Sequence, residues 1–382
     1  MPIIQIALIG FALVGPNFKS PNYPKLQSAW TLALHDPNLA KVSGTPQTNR
    51  SCGIARWDDA HVLIYFMNAD KSLVLRSPGT DTVGGWSFSL LVIRTQDGRV
   101  DQSATIPADG FDSELAIVTG GIVVSDRDRL VFYSRDFRRL DPVFSYKPYH
   151  RPIHVSRGFL GDTEFLYVSD DQRRFVLVDR YGEQSRFFLF DGETLKEQRD
   201  WTLSGVDPQN VSIREEKIIY GGLIIGDRLA SALAWTPIDN GVEKVEILTA
   251  SSSDMLCRFP IATEPLSFLN TCGSVAIQSK EGNEVIYQPQ KHEALGTAKL
   301  SPDNRYAAIF RYKQTGNGGV LDLTERVTQI GLLIVNLNSP HRVCEIPLVP
   351  MPLVQLTFTF ANDSTLVVLN DGSVSSYKEL CP

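Results

Sequence analysis

Cysteine, histidine, positive charge and long apolar runs are all scarce in this chain, and each scarcity removes a class of function. Five cysteines, Cys52, Cys257, Cys272, Cys344 and Cys381, are scattered through 382 residues with no C-x-x-C spacing. Zinc knuckles, thioredoxin-type motifs, haem attachment and a disulfide-dense scaffold therefore lose their basis. Six histidines leave few general bases. There is no G-x-S-x-G nucleophile elbow, and the glycine pairs Gly221-Gly222 and Gly318-Gly319 lack the lysine of a phosphate loop. Lys and Arg number 37 against 43 Asp and Glu, a net charge of −6, which argues against a strongly basic nucleic-acid binder. The apolar run at residues 3–14 is too short, at about 1.5 Å per residue, to span a hydrocarbon core of about 30 Å.

That run has the length of a secretory h-region, although no Lys or Arg precedes it and Gly15-Pro16 is a poor cleavage context. Residues 1–20 are read as a leader, with a buried N-terminal strand as the alternative, and 21–382 as one domain. Helical periodicity is almost absent. Short runs rich in Val, Ile, Phe and Tyr recur at 61–66, 88–93, 115–118, 130–133, 165–168, 175–178, 217–220, 285–287, 306–310, 331–335 and 365–369. Turn clusters such as Gln96-Asp97-Gly98, Asp191-Gly192 and Asn370-Asp371-Gly372 separate them and supply the positive φ that tight hairpins need. Many short strands at near-regular spacing predict an all-β repeat architecture.

Internal similarity sharpens this expectation. Cys257-Arg258-Phe259-Pro260-Ile261 and Cys344-Glu345-Ile346-Pro347-Leu348 share C-x-[FI]-P-[IL], and a weaker copy is Ala104-Thr105-Ile106-Pro107-Ala108. The register continues, with 274–279 matching 364–370 and 282–287 matching 372–377. The spacings correspond to units of about 43 to 51 residues, near the length of a four-stranded propeller blade. Proline suits a blade's outermost strand, where a missing N–H costs little. The units predicted are 54–108, 112–148, 152–205, 210–260, 264–293, 295–348 and 352–382. The last holds three strand candidates, and its fourth is expected from the N-terminal segment near 30–34. The predicted fold is thus a single β-propeller of about seven four-stranded blades, closed by strands from both chain ends.

Ser301-Pro302-Asp303-Asn304-Arg305-Tyr306-Ala307-Ala308 resembles the S-P-D-G-R turn-and-strand signature of WD40-like and TolB-like propeller repeats, with Asn304 in place of the usual glycine. Phe190-Asp191-Gly192-Glu193-Thr194-Leu195, leading to Trp201, faintly resembles quinoprotein-type blades. Trp57-Asp58 is the one Trp-Asp pair, and it opens a unit where a WD40 repeat would close one. The chain as a whole resembles secreted bacterial propellers with degenerate repeats, which implies the fold and a binding role.

Candidate chemistry is sparse. His150 and His154 have metal-ligand spacing only on a helix, which Pro148 and Pro152 disfavour. The acidic groups at 109–114, at Asp126 and Asp128, and at Asp170-Asp171 do not fit a calcium loop and read as Asp-capped hairpin turns. Between residues 126 and 157, eight Lys and Arg face four Asp and Glu. Arg135, Arg138, Arg139, Lys147, Arg151 and Arg157, interleaved with Tyr146 and Tyr149, could form an anion-binding rim or a solvated hairpin surface. Cys52 and Cys381 flank the expected closure and are a candidate disulfide clasp, whereas Cys257 and Cys272 are placed at opposite ends of their strands.

No catalytic, cofactor-binding or metal-ligating residue is assigned. The expected function is a non-catalytic binding module, exported to the periplasm or beyond, with a cytoplasmic location as the alternative. A monomer is expected, binding a protein, peptide or glycan, peripheral to the envelope and without nucleic acid. The alternative is a lactonase-like or lyase-like propeller enzyme with an axial Ca2+ or other metal drawn from several blades.

Overall fold

The structure is a computed structural model that describes residues 23–34, 52–69, 86–108, 113–126, 129–146, 166–181, 184–204, 211–214, 217–225, 228–237, 249–250, 258–263, 266–271, 273–279, 282–314, 327–338, 340–352, 357–370 and 372–381. Its elements are strands, arranged as seven four-stranded antiparallel sheets. The first strand, β1 (Trp30–Ala33), is set aside for the last blade. Blade 1 is β2 (Cys52–Arg56), β3 (His61–Ala69), β4 (Trp86–Arg94) and β5 (Val100–Ala108). Blade 2 is β6 (Glu114–Val118), β7 (Gly121–Asp126), β8 (Arg129–Tyr133) and β9 (Arg139–Ser145). Blade 3 is β10 (Leu166–Val168), β11 (Arg174–Tyr181), β12 (Gln184–Asp191) and β13 (Glu197–Ser204). Blade 4 is β14 (Val211–Arg214), β15 (Lys217–Ile225), β16 (Arg228–Pro237) and β17 (Thr249–Ala250). Blade 5 is β18 (Arg258–Thr263), β19 (Leu266–Asn270), β20 (Val275–Ser279) and β21 (Gly282–Tyr287). Blade 6 is β22 (Glu293–Leu300), β23 (Tyr306–Gln314), β24 (Val327–Asn336) and β25 (Arg342–Pro352). Blade 7 is β26 (Thr357–Asn362), β27 (Thr365–Asn370) and β28 (Ser373–Tyr377), completed by β1.

Side-chain alternation along a strand explains why the blades stack. Successive side chains point to opposite faces of a sheet. Val62 and Ile64 of β3 pack toward blade 7 against Val367 and Leu369, while Leu63 between them packs toward blade 2 with Val124 and Val131. In β11, Phe175 and Leu177 face blade 2 and Val176 and Val178 face blade 4. A middle strand is therefore apolar at consecutive positions, as in Thr365–Asn370, which is buried at all but its last residue. The outermost strand β5 is exposed at its first four positions. Continuous apolar runs bounded by turns thus mark central strands of blades covered on both faces.

Closure follows the expected plan. β1 lies antiparallel to β28, with Trp30 opposite Ser376 and Ala33 opposite Ser373. Blade 7 meets blade 1 through the Ile54, Ile64 and Val367 cluster. Trp30 Nε1 also donates to Thr95 O of blade 1 at 2.7 Å. The Trp30 ring sits over Gly98, where φ is +77° and a Cβ would come within 2.7 Å of the indole, so both backbone and space demand glycine.

Two expectations are corrected. The matching segments 257–261 and 344–348 are not equivalent: the first falls on β18, the innermost strand of blade 5, and the second on β25, the outermost of blade 6. Likewise 274–279 falls on β20, third in its blade, and 364–370 on β27, second in its own. The similarity is displaced by one strand, because both segments are edge strands and both edges tolerate proline. The outer-strand rule does hold for Pro107, Pro142, Pro347, Pro350 and Pro352, whereas Pro260 sits on the inner edge and Pro237 ends a third strand. The Cys52–Cys381 clasp is also not formed, since Cys381 is bonded to Cys344. Cys52 begins an innermost strand, whereas Cys381 follows β28 toward the outer edge of blade 6. Cys257 and Cys272 lie outside the described residues.

Candidate functional site

Each blade has an even number of antiparallel strands, so every innermost strand runs in the same sense. The turns joining first to second and third to fourth strands therefore share one end of the ring. Three of them have the pattern S-x-D-x-R: 134–138, 169–173 and 301–305. The serine hydroxyl donates to the aspartate in each, Ser134 to Asp136, Ser169 to Asp171 at 2.6 Å and Ser301 to Asp303 at 2.7 Å. The same Oγ accepts a backbone N–H from across the turn, from Arg138 at 3.1 Å, Arg174 at 3.0 Å and Tyr306 at 2.9 Å. The fourth residue is left-handed, with φ of 64° at Phe137, 61° at Gln172 and 57° at Asn304. Only the 301–305 copy was read from sequence as a propeller turn. The other two carry Phe and Gln at the left-handed position, and scanning for S-x-D-x-R without requiring Gly or Asn there would have found them.

These turns are knitted to one another. Arg135 lays its guanidinium 4.4 Å over the Trp57 ring of blade 1 and donates to the carbonyls of Trp57 and Val118, with Gln172 Oε1 of blade 3 at 3.5 Å. Burial lowers the Arg135 pKa, opposed by the nearby Asp58 carboxylate. Gln172 returns to blade 1 by donating to Arg56 O at 2.7 Å, while its carbonyl accepts from Thr119 N and Oγ1 at 2.9 and 3.0 Å. Across the closure, Asn362 Nδ2 donates to Asp59 O at 3.0 Å, and Asp303 N donates to Asp363 Oδ1 at 3.1 Å. Hydrogen bonds thus join the turns of blades 6, 7, 1, 2 and 3 in series.

Two further clusters carry charge. On blade 1, Asp101 accepts from Arg94 Nε at 3.0 Å and Nη2 at 2.8 Å, and lies 3.2 Å from His61 Nε2. The other His61 nitrogen, Nδ1, is 2.9 Å from Asp58 Oδ1. The Arg94 hydrogen bonds, with a smaller one from His61, bring the Asp101 pKa down to about 2 against burial. At the blade 5–6 seam, Arg311 is 8% exposed and donates to Glu293 at 2.6 Å and Glu345 at 2.7 Å. Tyr287 OH donates to Glu293 Oε1 at 2.6 Å, and burial followed by that carboxylate raises the Tyr287 pKa.

Of the candidate basic rim, Arg135, Arg138, Arg139 and Tyr146 lie within the described residues, with Arg139 exposed on β9 opposite Tyr133. Arg135 is committed between blades, Arg138 pairs with Asp136 at 2.8 Å, and Tyr146 packs against Phe144 and Phe188. Lys147, Arg151, Arg157, Tyr149, His150 and His154 lie outside the described residues, as do residues 109–112 and Asp128. Asp171 caps its turn by accepting Arg173 N at 3.0 Å, as the hairpin reading expects. The Asp191 segment is likewise a turn cap, with Asp191 Oδ1 accepting Glu193 N, Thr194 N and Thr194 Oγ1 at 2.7 to 3.0 Å. Those bonds, Thr194 N foremost, hold the Asp191 pKa below its ordinary value. Among the described residues, no group of three or more His, Cys, Asp or Glu could hold a metal ion.

The two ends of the ring differ in the length of their connections. At the turn end nearly all are two to five residues, with 238–248 as the exception. The connections 34–51, 70–85, 146–165 and 315–326, each a dozen residues or more, all start and finish at the opposite end.

No family model matches the sequence, and no curated protein does. Solved structures match in shape. The Pan2 WD40 domain of Neurospora crassa aligns over 94% of this chain and 96% of that one, at 10% identity and a TM-score of 0.50. The fold is a β-propeller. The propeller domain of the Trilobed protease from Pyrococcus furiosus aligns over 86% of this chain and 96% of that one, also at 10% identity and a TM-score of 0.50. The acylaminoacyl peptidase of Pyrococcus horikoshii aligns over 83% of this chain but 48% of its own, at 10% identity and a TM-score of 0.51. More than half of that peptidase has no counterpart here.

Proposed function

We propose that this propeller is a non-catalytic binding module that takes a protein, peptide or glycan ligand at the end of the ring opposite the knitted turns. The asymmetry between the ends carries this reading. At the turn end, Arg56, Arg135, Gln172, Asn362 and Asp363 are engaged in holding blades together, and the connections are short. Long connections on a rigid scaffold are the usual place for recognition. The similarity to a WD40 domain supports the reading at the level of fold, and the peptidase similarity stops at the propeller. Export is part of the proposal, supported by the apolar run at 3–14 and by a disulfide, a bond that persists in oxidising compartments.

The test compares capture by three forms of the purified protein: wild type, a variant with 70–85, which joins the paired strands β3 and β4, replaced by a short Asp-Gly hairpin, and Arg138→Ala/Arg173→Ala at the turn end. Ligands retained by wild type and by the arginine variant but lost by the hairpin variant support the proposal. Loss in the arginine variant alone sinks it. An axial-metal enzyme is the alternative outcome, read as bound calcium by elemental analysis together with a melting temperature that falls on chelation.

A further inference from the structure

Both chain ends are fastened at two adjacent residues of β25. Cys344 carries the disulfide to Cys381, 37 residues on and four past the end of β28. Glu345 donates its N–H to Pro24 O at 2.9 Å and accepts Leu26 N at 2.8 Å, so residues 23–26 run as a parallel extension of the blade 6 sheet. The chain then crosses to blade 7, where Ala29 N donates to Ser376 O at 2.7 Å and β1 pairs with β28. This N-terminal strap and the disulfide therefore bridge the same two strands, β25 and β28. They also touch. Leu26 packs on the cluster that contains Cys344, Ile346, Phe358, Tyr377, Leu380 and Cys381, in which the two cysteines are only 3% and 1% exposed. The tail is held against its backbone preference, with Glu379 and Cys381 left-handed at φ of 51° and 49°. Leu380 between them is 1% exposed. The anchor on blade 6 is stiffened from beneath, since the Glu345 carboxylate accepts Arg311 Nη1.

We propose that strap and disulfide form one lock whose closure depends on redox state. Leu26 shields the S–S bond from reductant, and the S–S bond holds β25 and β28 at the spacing that the strap spans. Opening needs a dithiol. Its thiolate attacks one sulfur to form a mixed disulfide, and its second thiol then displaces that cysteine. Cys344 and Cys381 are left as two thiols, and the dithiol, having given up two electrons and two protons, closes to its own disulfide. The freed tail relaxes from its left-handed residues and the strap leaves the outer edges of both blades.

The experiment follows reduction of the full chain by dithiothreitol in native buffer, quenched with an alkylating reagent and read by mass spectrometry. Leu26→Ala is expected to speed reduction about tenfold or more over wild type, with Leu26→Val intermediate should the alanine variant fold poorly. In the reduced, alkylated wild type, the amides of Leu26, Ala29 and Glu345 are expected to exchange with deuterium at least tenfold faster, while β11 and β12 of blade 3 keep their protection. Equal reduction rates in wild type and both variants would overturn the shielding. Unchanged strap exchange after reduction would overturn the coupling, and alkylation of Cys344 and Cys381 without reductant would overturn the lock itself.

Discussion

Arg135 belongs to a residue type that sequence reading assigns to solvent or to an anion, and its partners here are two main-chain carbonyls and the face of Trp57. Its truncation leaves those carbonyls without their donor in a partly desolvated seam and removes a stacked cation, effects of about 1 to 3 kcal/mol together. Arg135→Ala is expected to lower the free energy of unfolding in urea by that amount, whereas Arg138→Ala, an exposed ion pair, should change it by less than about 0.5 kcal/mol. Equal effects would place Arg135 on the surface. Asp101 makes a second prediction at this scale. Its folded pKa of about 2 lies below the ordinary 3.8, so the unfolded chain binds its proton first as pH falls. Its contribution is therefore complete above about pH 4 and is lost as pH falls toward 2. The gap in melting temperature between wild type and Asp101→Asn should close as pH falls over that window. Neither partner set was legible in the sequence, because cation, carbonyl and carboxylate meet only after three strands or two blades have packed.

Turns and strands were legible to different degrees. The central strands announced themselves as apolar runs, since both faces of each blade are covered. The S-x-D-x-R turns were legible once in three, at Ser301, because the geometry rests on the Ser and Asp side chains while the fourth position accepts Asn, Gln or Phe. That tolerance makes a prediction. Asp303→Ala removes the acceptor for Ser301 Oγ and Arg305 N, and should cost about 1 kcal/mol. Asn304→Gly, which only relieves a left-handed residue, should be neutral to slightly stabilising in the same denaturation assay. The reverse order of effects would show that the turn depends on its fourth residue rather than on its hydrogen bonds. The slipped repeat belongs to this scale too. C-x-[FI]-P-[IL] reports an edge strand, and a blade has two edges, so the motif alone does not choose between β18 and β25.

At the scale of the whole molecule, the ring is held by seams in which alternate side chains of one strand serve two neighbours, and it is closed by pieces far apart in sequence. The sequence indicated the closing strand near 30–34 because blade 7 was one strand short. It gave no sign of the Cys344–Cys381 partnership, which follows from where the tail turns after β28. Closing a loop of 37 residues removes chain entropy from the unfolded state worth roughly 4 kcal/mol in the loop-entropy account. Trp30 acts on the same closure from the other chain end, through its contact with Gly98 and its bond to Thr95. If the two clasps secure one event, cutting either lets blade 7 part from its neighbours, and cutting the second then costs less than it would alone. A double-mutant cycle of Trp30→Ala and Cys344→Ala/Cys381→Ala should therefore show a coupling energy of at least about 0.5 kcal/mol in urea unfolding. Additive effects would mean that the clasps hold separate parts of the ring and that closure is not a single cooperative event.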